Sequence, residues 1–581
     1  MNELLYIDGQ LVDLSEGVNI TLSYKSNMLT DLSKIVGNNS YTIKLPKTMR
    51  NLSIIGMSDV PSVVSSFPRE YHECRYFRNG VEVIPNGKAV LMGVGDSIEI
   101  VITWGGASAF SKIVEEGKKL TDFTEETTWI AWTDVVSPSS YGTANIMYAD
   151  MDMGLKTSET KAKLHPSVRV SYILSLIQSV YGVRFAFPSD RQKFISNLII
   201  PLLTRNGGYA NRFSNTGYIR KNDDGGLYLS KNSMFDSYFG HTESNFVFQA
   251  KTSGRLVIKP SFSSLYMGAN VGYGSTVNDN TVYLPYSVDA YVSVYNYTEA
   301  VEIDLAEGDY FVVNTGLFPA TIGNSQEVYS FGMQPDEIQL GDRFPIIENL
   351  PDIKVIDFIK AIASMCGVFA IPSTNSNEVK FVPFDDLSDK SKALDWSDFV
   401  LVSDSYNRPR NIDYTLDDFA RNNRMKYKED DTVGMNANSN ISVGDNTLEY
   451  ERDAVQLPFA ASDMQGSRAK LALYKYNEDN EPELQDLQSR ILTETNVNGY
   501  STGSFDGLHW STLIANYYQT YQNAVKSPVI ITENIRLNEI SLRDLDVAKP
   551  VYLRQYGKYY AIVEVKASRN GVCECKLLQL D

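Results

Sequence analysis

Residues 166–183 read PSVRVSYILSLIQSVYGV, and residues 351–368 read PDIKVIDFIKAIASMCGV. Proline at the start, apolar residues at helical spacing and glycine at the stop predict an amphipathic helix in each copy. Each copy then enters a short apolar run, at residues 184–187 or 369–371, which predicts a strand. The chain is therefore predicted to build one helix–strand unit twice. The matching positions are Pro166/Pro351, Val170/Val355, Ile177/Ile362, Ser179/Ser364, Gly182/Gly367 and Val183/Val368.

A long segment separates the two copies. Their prolines stand at positions 166 and 351, so 185 residues lie between equivalent points, which is far more than a helix–strand unit needs. The intervening residues 190–342 are rich in Tyr and Phe and show alternating apolar runs. A β-sandwich is the simplest fold for such a segment. The runs cover residues 245–250, 255–260, 288–295, 300–305 and 310–314.

The flanking regions are predicted to be rich in strands. An Asp8-Gly9 turn between two alternating runs is typical of a hairpin. The first 120 residues are therefore interpreted as a small β-barrel-like domain with one helix at 109–117. Predicted strands cover residues 4–7, 18–24, 70–77, 81–84, 88–92 and 97–104 in this domain, and 530–537, 551–556, 559–565 and 572–578 near the end of the chain.

Together these patterns predict an α+β, predominantly β fold with several domains. It contains small β-barrels, repeated helix–strand modules and an inserted β-sandwich. The predicted division is residues 1–120 (β-barrel-like domain), 121–189 (irregular connection and first helix–strand module), 190–342 (inserted Tyr-rich sandwich), 343–394 (second module) and 395–581 (C-terminal β-rich region).

Composition limits the classes of partner. The chain has 581 residues and a formal net charge of −18, which repels nucleic-acid phosphates and anionic lipids at long range. We see no leader peptide and no apolar run long enough to cross a bilayer. Four cysteines are too few for a disulfide framework and fit a reducing cytoplasm. Protein partners are therefore expected, and nucleic acid and membrane are not.

No pattern predicts catalysis, a cofactor or a metal. The histidines carry no Ser-His-Asp or Cys-His signature, so structural or surface roles are expected for them. Two cysteines two residues apart on a strand favour buried packing over metal binding. A calcium loop would need ligands that do not follow the first aspartates, and two glycines alone make a turn. The residues weighed were His72, His165, His241 and His509, then Cys573 and Cys575, then Asp150, Asp152 and Gly154, then Gly93 and Gly95.

Three further segments leave alternatives open. The Tyr-rich residues 283–297 are expected to pack against a core or a neighbouring subunit, with stacking on host-surface glycans as the alternative. The mixed-charge run 426–431 and the acidic loop 477–486 are interpreted as solvated surface, or as parts of a subunit interface. A carboxylate pair of a hydrolase also stays open, because two acidic residues can meet across a sheet from any spacing.

Three stretches resemble proteins from tail gene clusters of phages and prophages of gut Bacteroidetes. They are residues 20–51, with ITLSY and SYTIKLPKTMRN; residues 394–431, with LDWSD and MKYKEDD; and residues 549–560, KPVYLRQYGKYY. The domain order also resembles that of the baseplate hub, or tail-associated, proteins of long-tailed phages. The resemblance covers the beginning, middle and end of the chain, but not the insert.

The resemblance implies a structural protein of the virion tail that assembles in the host cytoplasm and catalyses nothing. Hub subunits form a homotrimeric ring that caps the tail tube and carries fibre or spike proteins. Two β-barrels per subunit, roughly residues 1–110 and the part after residue 395, would let three chains present six similar faces to a six-fold tube. The alternatives are a hexameric distal tail ring, a glycan-binding tail module and a tail-delivered hydrolase.

Overall fold

The computed structural model describes most of the chain. No described helix is long and apolar enough to cross a membrane. The described residues are 3–18, 20–26, 38–104, 106–123, 129–132, 145–156, 164–207, 217–221, 227–230, 235–237, 245–250, 253–260, 269–274, 290–294, 301–314, 327–335, 338, 343–371, 378–401, 408–415, 419–497, 499–568 and 571–580.

Strands dominate these residues, so the predicted α+β, predominantly β class is confirmed. The strands before the insert are β1 (Glu3–Ile7), β2 (Gln10–Leu11), β3 (Leu22–Lys25), β4 (Asn38–Ser40), β5 (Ile43–Leu45), β6 (His72–Arg78), β7 (Val81–Val94), β8 (Ile98–Trp104), β9 (Trp129–Ala131), β10 (Ile146–Met147), β11 (Ser167–Arg169), β12 (Arg184–Ala186) and β13 (Leu198–Pro201). Those of the insert are β14 (Gly217–Lys221), β15 (Leu227–Ser230), β16 (Phe235–Ser237), β17 (Asn245–Ala250), β18 (Gly254–Pro260), β19 (Ala269–Gly274), β20 (Ala290–Val294), β21 (Val301–Leu305), β22 (Tyr310–Asn314) and β23 (Glu327–Pro335).

The remaining strands and the α-helices follow, and five 3-10 helices of three residues each complete the described elements. The strands are β24 (Arg343–Pro345), β25 (Val368–Ile371), β26 (Glu378–Pro383), β27 (Leu394–Asp395), β28 (Asn411–Asp413), β29 (Asn422–Lys428), β30 (Ser439–Ser442), β31 (Glu451–Ala460), β32 (Asp463–Gln465), β33 (Arg468–Lys470), β34 (Tyr474–Tyr476), β35 (Pro482–Leu484), β36 (Leu492–Val497), β37 (Tyr500–Ser504), β38 (Ile530–Arg536), β39 (Val551–Leu553), β40 (Lys558–Ala567) and β41 (Val572–Leu580). The helices are α1 (Met49–Ile54), α2 (Gly106–Glu116), α3 (Val170–Tyr181), α4 (Ser189–Asn197), α5 (Val355–Met365), α6 (Phe384–Leu387), α7 (Trp510–Tyr517), α8 (Gln519–Lys526) and α9 (Glu539–Arg543).

One 14-stranded sheet joins the two ends of the chain. Its main path runs β2-β1-β6-β7-β8-β4-β3-β40-β41-β38-β28, so strands from the first 104 residues continue into strands from the last 52. At the junction β3 pairs antiparallel with β40, and Leu22 lies opposite Ala567. Arg78 is buried beside it and donates hydrogen bonds to the carbonyl oxygens of Ile20 (2.6 Å) and Ser568 (3.1 Å). The part of the protein outside the insert is here called the body. Its large sheet forms only when the N-terminal and the C-terminal strands are both present.

The predicted small β-barrels are not found among the described residues. The sheet that contains the N-terminal strands is open, with β2 at one end and β28 at the other. The physical reason is that β40 takes the hydrogen bonds of β3's outer edge, so β3 cannot return to β1 and close a barrel. The N-terminal and C-terminal β-regions are one sheet, and they do not form two similar barrels.

The repeated helix–strand unit is confirmed. Helices α3 and α5 begin at the matching residues Val170 and Val355. The matching glycines that follow them, Gly182 and Gly367, both adopt left-handed backbone, with φ of 64° and 60°. The strands of the two copies, β12 and β25, flank β26 in one small sheet. The helices begin four residues after the prolines, because extended residues such as β11 intervene.

The insert forms two five-stranded antiparallel sheets, β15-β14-β23-β18-β21 and β16-β17-β22-β19-β20. The strand assignments at 245–250 and 310–314 match the sequence prediction at both ends. The first part of the predicted insert belongs instead to the body, since β13 pairs with β11 and β36. Of the Tyr-rich run 283–297, only the backbone of β20 lies within the described residues.

Gly154 provides a test of this packing, because its backbone passes very close to another segment. A Cβ at Gly154 would lie 2.4 Å from the carbonyl oxygen of Tyr474, whereas one at Gly499 would meet nothing within 4 Å. Both glycines have a φ of 84°. We expect Gly499→Ala to cost about 1 kcal/mol for its backbone conformation, and Gly154→Ala to cost about 1–3 kcal/mol more for the clash. Urea unfolding of both variants measures the difference; equal losses would contradict the close approach.

Candidate functional site: the groove at the root of the insert

Two segments, here called the arms, connect the insert to the body: residues 198–207 lead into the insert and residues 343–354 follow it. A groove lies where these arms join the body. A cavity of about 780 Å³ is bordered by both arms and by α5. A second cavity of about 430 Å³ shares Asp357, Lys428 and Pro458 with it, so the two form one depression, here called the root groove. The lining residues include Lys119, Leu203, Thr204, Asn206, Glu348, Asn349, Asp352, Lys354, Asp357, Lys360, Lys428, Leu457, Pro458, Asp486, Leu487 and Gln488.

Asn349 fastens the two arms to each other at the edge of this groove. Its side-chain oxygen accepts hydrogen bonds from the Thr204 hydroxyl (2.8 Å) and the Asn206 amide (2.7 Å). Its side-chain nitrogen donates to the carbonyl oxygens of Asn206 (2.8 Å) and Pro345 (2.9 Å). A buried amide that makes all four of these bonds fixes its surroundings strongly. The insert is therefore held to the body by a rigid root.

His165 connects the same root to the C-terminal region. It is fully buried, and its Nδ1 lies 2.8 Å from the carbonyl oxygen of Leu202. Because a carbonyl only accepts, Nδ1 carries the proton, and Nε2 accepts from the Tyr474 hydroxyl at 2.7 Å. Burial lowers the pKa of His165 to about 4, although the bond to Leu202 favours the charged form. The imidazole is therefore neutral near pH 7 and serves as a connector.

A buried ion pair supports the part of the groove that Gln488 lines. The side chains of Arg490 and Asp430 are only 1% and 5% exposed, and they approach to 2.8 Å. Asp430 also accepts from the Gln488 amide at 3.1 Å, and Arg490 donates to the Gln488 carbonyl. Burial raises the pKa of Asp430, but hydrogen bonds from Thr432 and Arg490 outweigh it and hold the pKa at about 2. This pair fixes the Gln488 backbone at the groove.

The rim of the root groove carries charges of both signs. Lys119 pairs with Asp352 at 2.7 Å, and Lys360 lies 4.0 Å from Asp357. The lining of the two cavities contains no His and no Cys. Within the described residues, no group of three His, Cys, Asp or Glu side chains could hold a metal. The groove therefore combines charged side chains of both signs with the apolar side chains of Leu203, Leu457 and Leu487.

The other residues weighed from sequence are scattered through the fold. His72 is buried between Asp8 (2.7 Å) and the Phe67 carbonyl (3.0 Å), and its ring stacks on Phe67. His509 is partly exposed beside Phe505. Cys573 and Cys575 are both buried, and burial raises the pKa of their thiols. His241 lies outside the described residues. His72, His509, Cys573 and Cys575 are not among the residues that line the root groove.

Two other sequence features have structural explanations. Asp150 pairs with Arg468 at 3.3 Å, and Asp152 accepts the Gly154 amide at 2.9 Å, so these carboxylates are engaged by the chain itself. Gly93 lies within β7, opposite Glu99 of β8 and beside a shift in the strand register, so the predicted turn does not include it. Gly95 lies in the turn between β7 and β8, where its amide donates to the Ser97 carbonyl oxygen at 3.0 Å.

The interpretation of residues 426–431 as solvated surface is wrong for three of them, Lys426, Tyr427 and Asp430. Tyr427 is buried, and its hydroxyl donates to the Leu508 carbonyl oxygen. Lys426 is buried with its ammonium 3.3 Å from Asp453, and Asp430 forms the pair with Arg490. The sequence could not show this, because the partner arginine lies 60 residues away. Sequence reasoning also missed Asn349, since a lone Asn carries no pattern.

Comparison with known proteins adds little. No family model matches the chain, and no curated protein matches its sequence. Among solved structures, an alignment that covers 100% of this chain and 98% of the other finds the 43 kDa tail protein of prophage MuSo2 from Shewanella oneidensis. The TM-score is 0.32 and the identity 7%, so neither fold nor function is carried over from it.

His165 predicts a pH dependence of stability. Below pH 6.5 the unfolded chain binds a proton at this residue, whereas the folded protein does not until about pH 4. The free energy of unfolding should therefore fall by about 3 kcal/mol over this interval from His165 alone. His165→Gln should lack that loss, and His509→Gln should keep it. Denaturant unfolding at a series of pH values measures this; a parallel decline in all three proteins would disprove the assignment.

Asp430 and Asp445 form a matched pair for testing the buried ion pair. Each carboxylate accepts from the amide and hydroxyl of a Thr two residues on, at 2.9 and 2.5 Å for Asp430 and at 2.7 and 2.6 Å for Asp445. Only Asp430 faces a buried arginine. Asp430→Asn should cost about 3–5 kcal/mol because it leaves Arg490 buried without a counter-charge. Asp445→Asn should cost clearly less in the same chemical unfolding experiment.

Proposed function

We propose that this chain is a structural subunit of a phage tail, positioned in the ring at the tail tip or baseplate hub. In this proposal the body contacts copies of itself and the tail tube, and the insert projects toward fibre or spike proteins. The protein catalyses no reaction and binds no cofactor. Its place of action is the virion tail, after assembly in the host cytoplasm.

The observation that carries the proposal is where the three resembling stretches lie. Each is more than 100 residues from the next in sequence, yet strands from each meet in the large sheet. Strand β3, from the first stretch, pairs with β40, which begins in the third. Strand β27, from the second, pairs with β39. Segments that resemble one family and also form one structural unit support common ancestry of that unit more strongly than scattered similarities do.

The geometry of the root supports a mechanical role for the insert. Asn349 and His165 hold its arms to the body through buried hydrogen bonds. A rigid root suits a module that transmits position from one protein to another. The argument from two barrels that present six similar faces does not support the ring, because the β-regions form one open sheet.

Electron microscopy of the purified protein, alone and with its tail-tube partner, tests the proposal. We expect closed trimeric rings, because a head-to-tail interface closes with cyclic symmetry. Hexameric rings would replace the hub with a distal tail ring. A monomer under both conditions would overturn the proposal. A control that removes the insert, residues 208–342, should leave ring formation intact if the body carries the contacts.

A further inference from the structure

The large sheet ends on strand β28, whose outer edge no described strand covers. Its inner edge pairs antiparallel with β38, so that Asn411 lies opposite Thr532 and Asp413 opposite Ile530. The central residue Ile412 is 39% exposed, and Tyr414 just beyond the strand is 64% exposed. An uncovered edge with exposed apolar side chains is a template for pairing with another strand.

The hydrogen-bond alternation shows which backbone groups β28 offers. The Gln579 amide donates to the Val529 carbonyl oxygen at 2.9 Å, just before β38 begins. In an antiparallel pair every second residue forms backbone hydrogen bonds to the same neighbour. Ile531, Glu533 and Ile535 of β38 therefore form theirs with β41. The residues between them must face the opposite edge. A hydrogen bond on the edge away from β41 supports this alternation: the Leu401 amide donates to the Asn534 carbonyl oxygen at 2.8 Å.

The same alternation carries over to β28. Thr532 and Ile530 direct their backbone groups to it, so Asn411 and Asp413 are the residues that bond to β38. Ile412 therefore points its N–H and C=O away from the sheet. An exposed strand residue that presents both groups at a free edge can bond to one matching residue of another strand.

We propose that β28 pairs with β28 of a second copy of this chain across a two-fold axis at Ile412. Both copies then offer the same donor and acceptor, and the two Ile412 residues exchange two backbone hydrogen bonds. On one face Ile412 meets its equivalent, and on the other Asn411 lies opposite the second copy's Asp413. This inference is independent of the proposed function.

The chemistry of the flanking residues is self-complementary in this register. Asn411 already donates from its side chain to Asp413 of its own strand at 3.0 Å, so amide and carboxylate share one face. Across the axis Arg410 lies opposite Tyr414, where a guanidinium can stack on a ring. Charged edges usually prevent pairing because like charges meet. Here no like charges are opposed, whereas a register centred on Asp413 would oppose two carboxylates.

The contact differs from the interface of a ring. A two-fold contact uses the same surface on both subunits, while neighbours in a ring meet head to tail. A short strand pair also buries less than the roughly 800 Å² per partner of a stable interface. The dimer is therefore a concentration-dependent association of subunits in solution and leaves other surfaces free for assembly.

Cysteine cross-linking of the full chain tests the register. The native cysteines are all buried, so an introduced surface thiol is the reactive one. Paired residues have Cα atoms about 5.5 Å apart, which a disulfide can span. Ile412→Cys should give a cross-linked dimer under mild oxidation at least tenfold faster than Tyr450→Cys, an exposed control. A mixture of Arg410→Cys and Tyr414→Cys should cross-link faster than either variant alone.

Equal rates for Ile412→Cys and Tyr450→Cys would overturn the proposal, since both would then reflect random collision. Ile412→Pro gives a second readout. Proline removes the outward N–H, which bonds to no described strand of the monomer, so thermal stability should stay near that of wild type. Sedimentation should show the dimer of wild type lost in this variant; an unchanged dimer fraction would equally overturn the proposal.

Discussion

The antiparallel pairing of residues 22–25 with residues 564–567 is the contact on which the architecture depends. It joins the N-terminal and C-terminal β-regions into one sheet. The residues between these regions then form a long loop that leaves the sheet and returns to it. Closing so large a loop costs little more than closing a short one, because the entropy grows only with the logarithm of length. Unpaired backbone N–H and C=O groups at a buried strand edge cost more free energy. Strand β40 removes this cost for β3 because it pairs with that edge.

Buried polar side chains mark the points where distant segments must meet. Arg78 joins segments 490 residues apart, and a hydrogen bond from Ser23 to Glu564 spans 541 residues. At the insert root, His165 and Asn349 play the same part over 309 and 145 residues. Apolar packing is tolerant of small shifts, whereas a buried donor must find its acceptor. These residues therefore specify the arrangement of segments more than they add net stability.

Local patterns predicted much of the fold, and long-range pairing explains what they missed. The repeated helix–strand unit and strands such as β17 follow from periodicity and glycine position, which are local properties. The barrel prediction was wrong because β3 pairs with β40, near the other end of the chain. A pattern read from a short stretch of sequence cannot detect such a pairing. Helices α7 and α8 were missed because they are eight residues each and carry Trp and Tyr, which favour strands. The root groove is lined by six separate segments of the chain, so only the fold could assemble it.

No disulfide bond links the segments that meet at these junctions. The four cysteines are buried as free thiols, so packing, hydrogen bonds and ion pairs hold the described residues together without a disulfide. Such a structure resists deformation only while its polar junctions stay in the protonation state that the fold selects. His165 is neutral and Asp430 is charged near pH 7, and both states are held by neighbours from other segments. A junction with a second stable protonation state would let the insert move relative to the sheet, so these single states keep the insert in a fixed position.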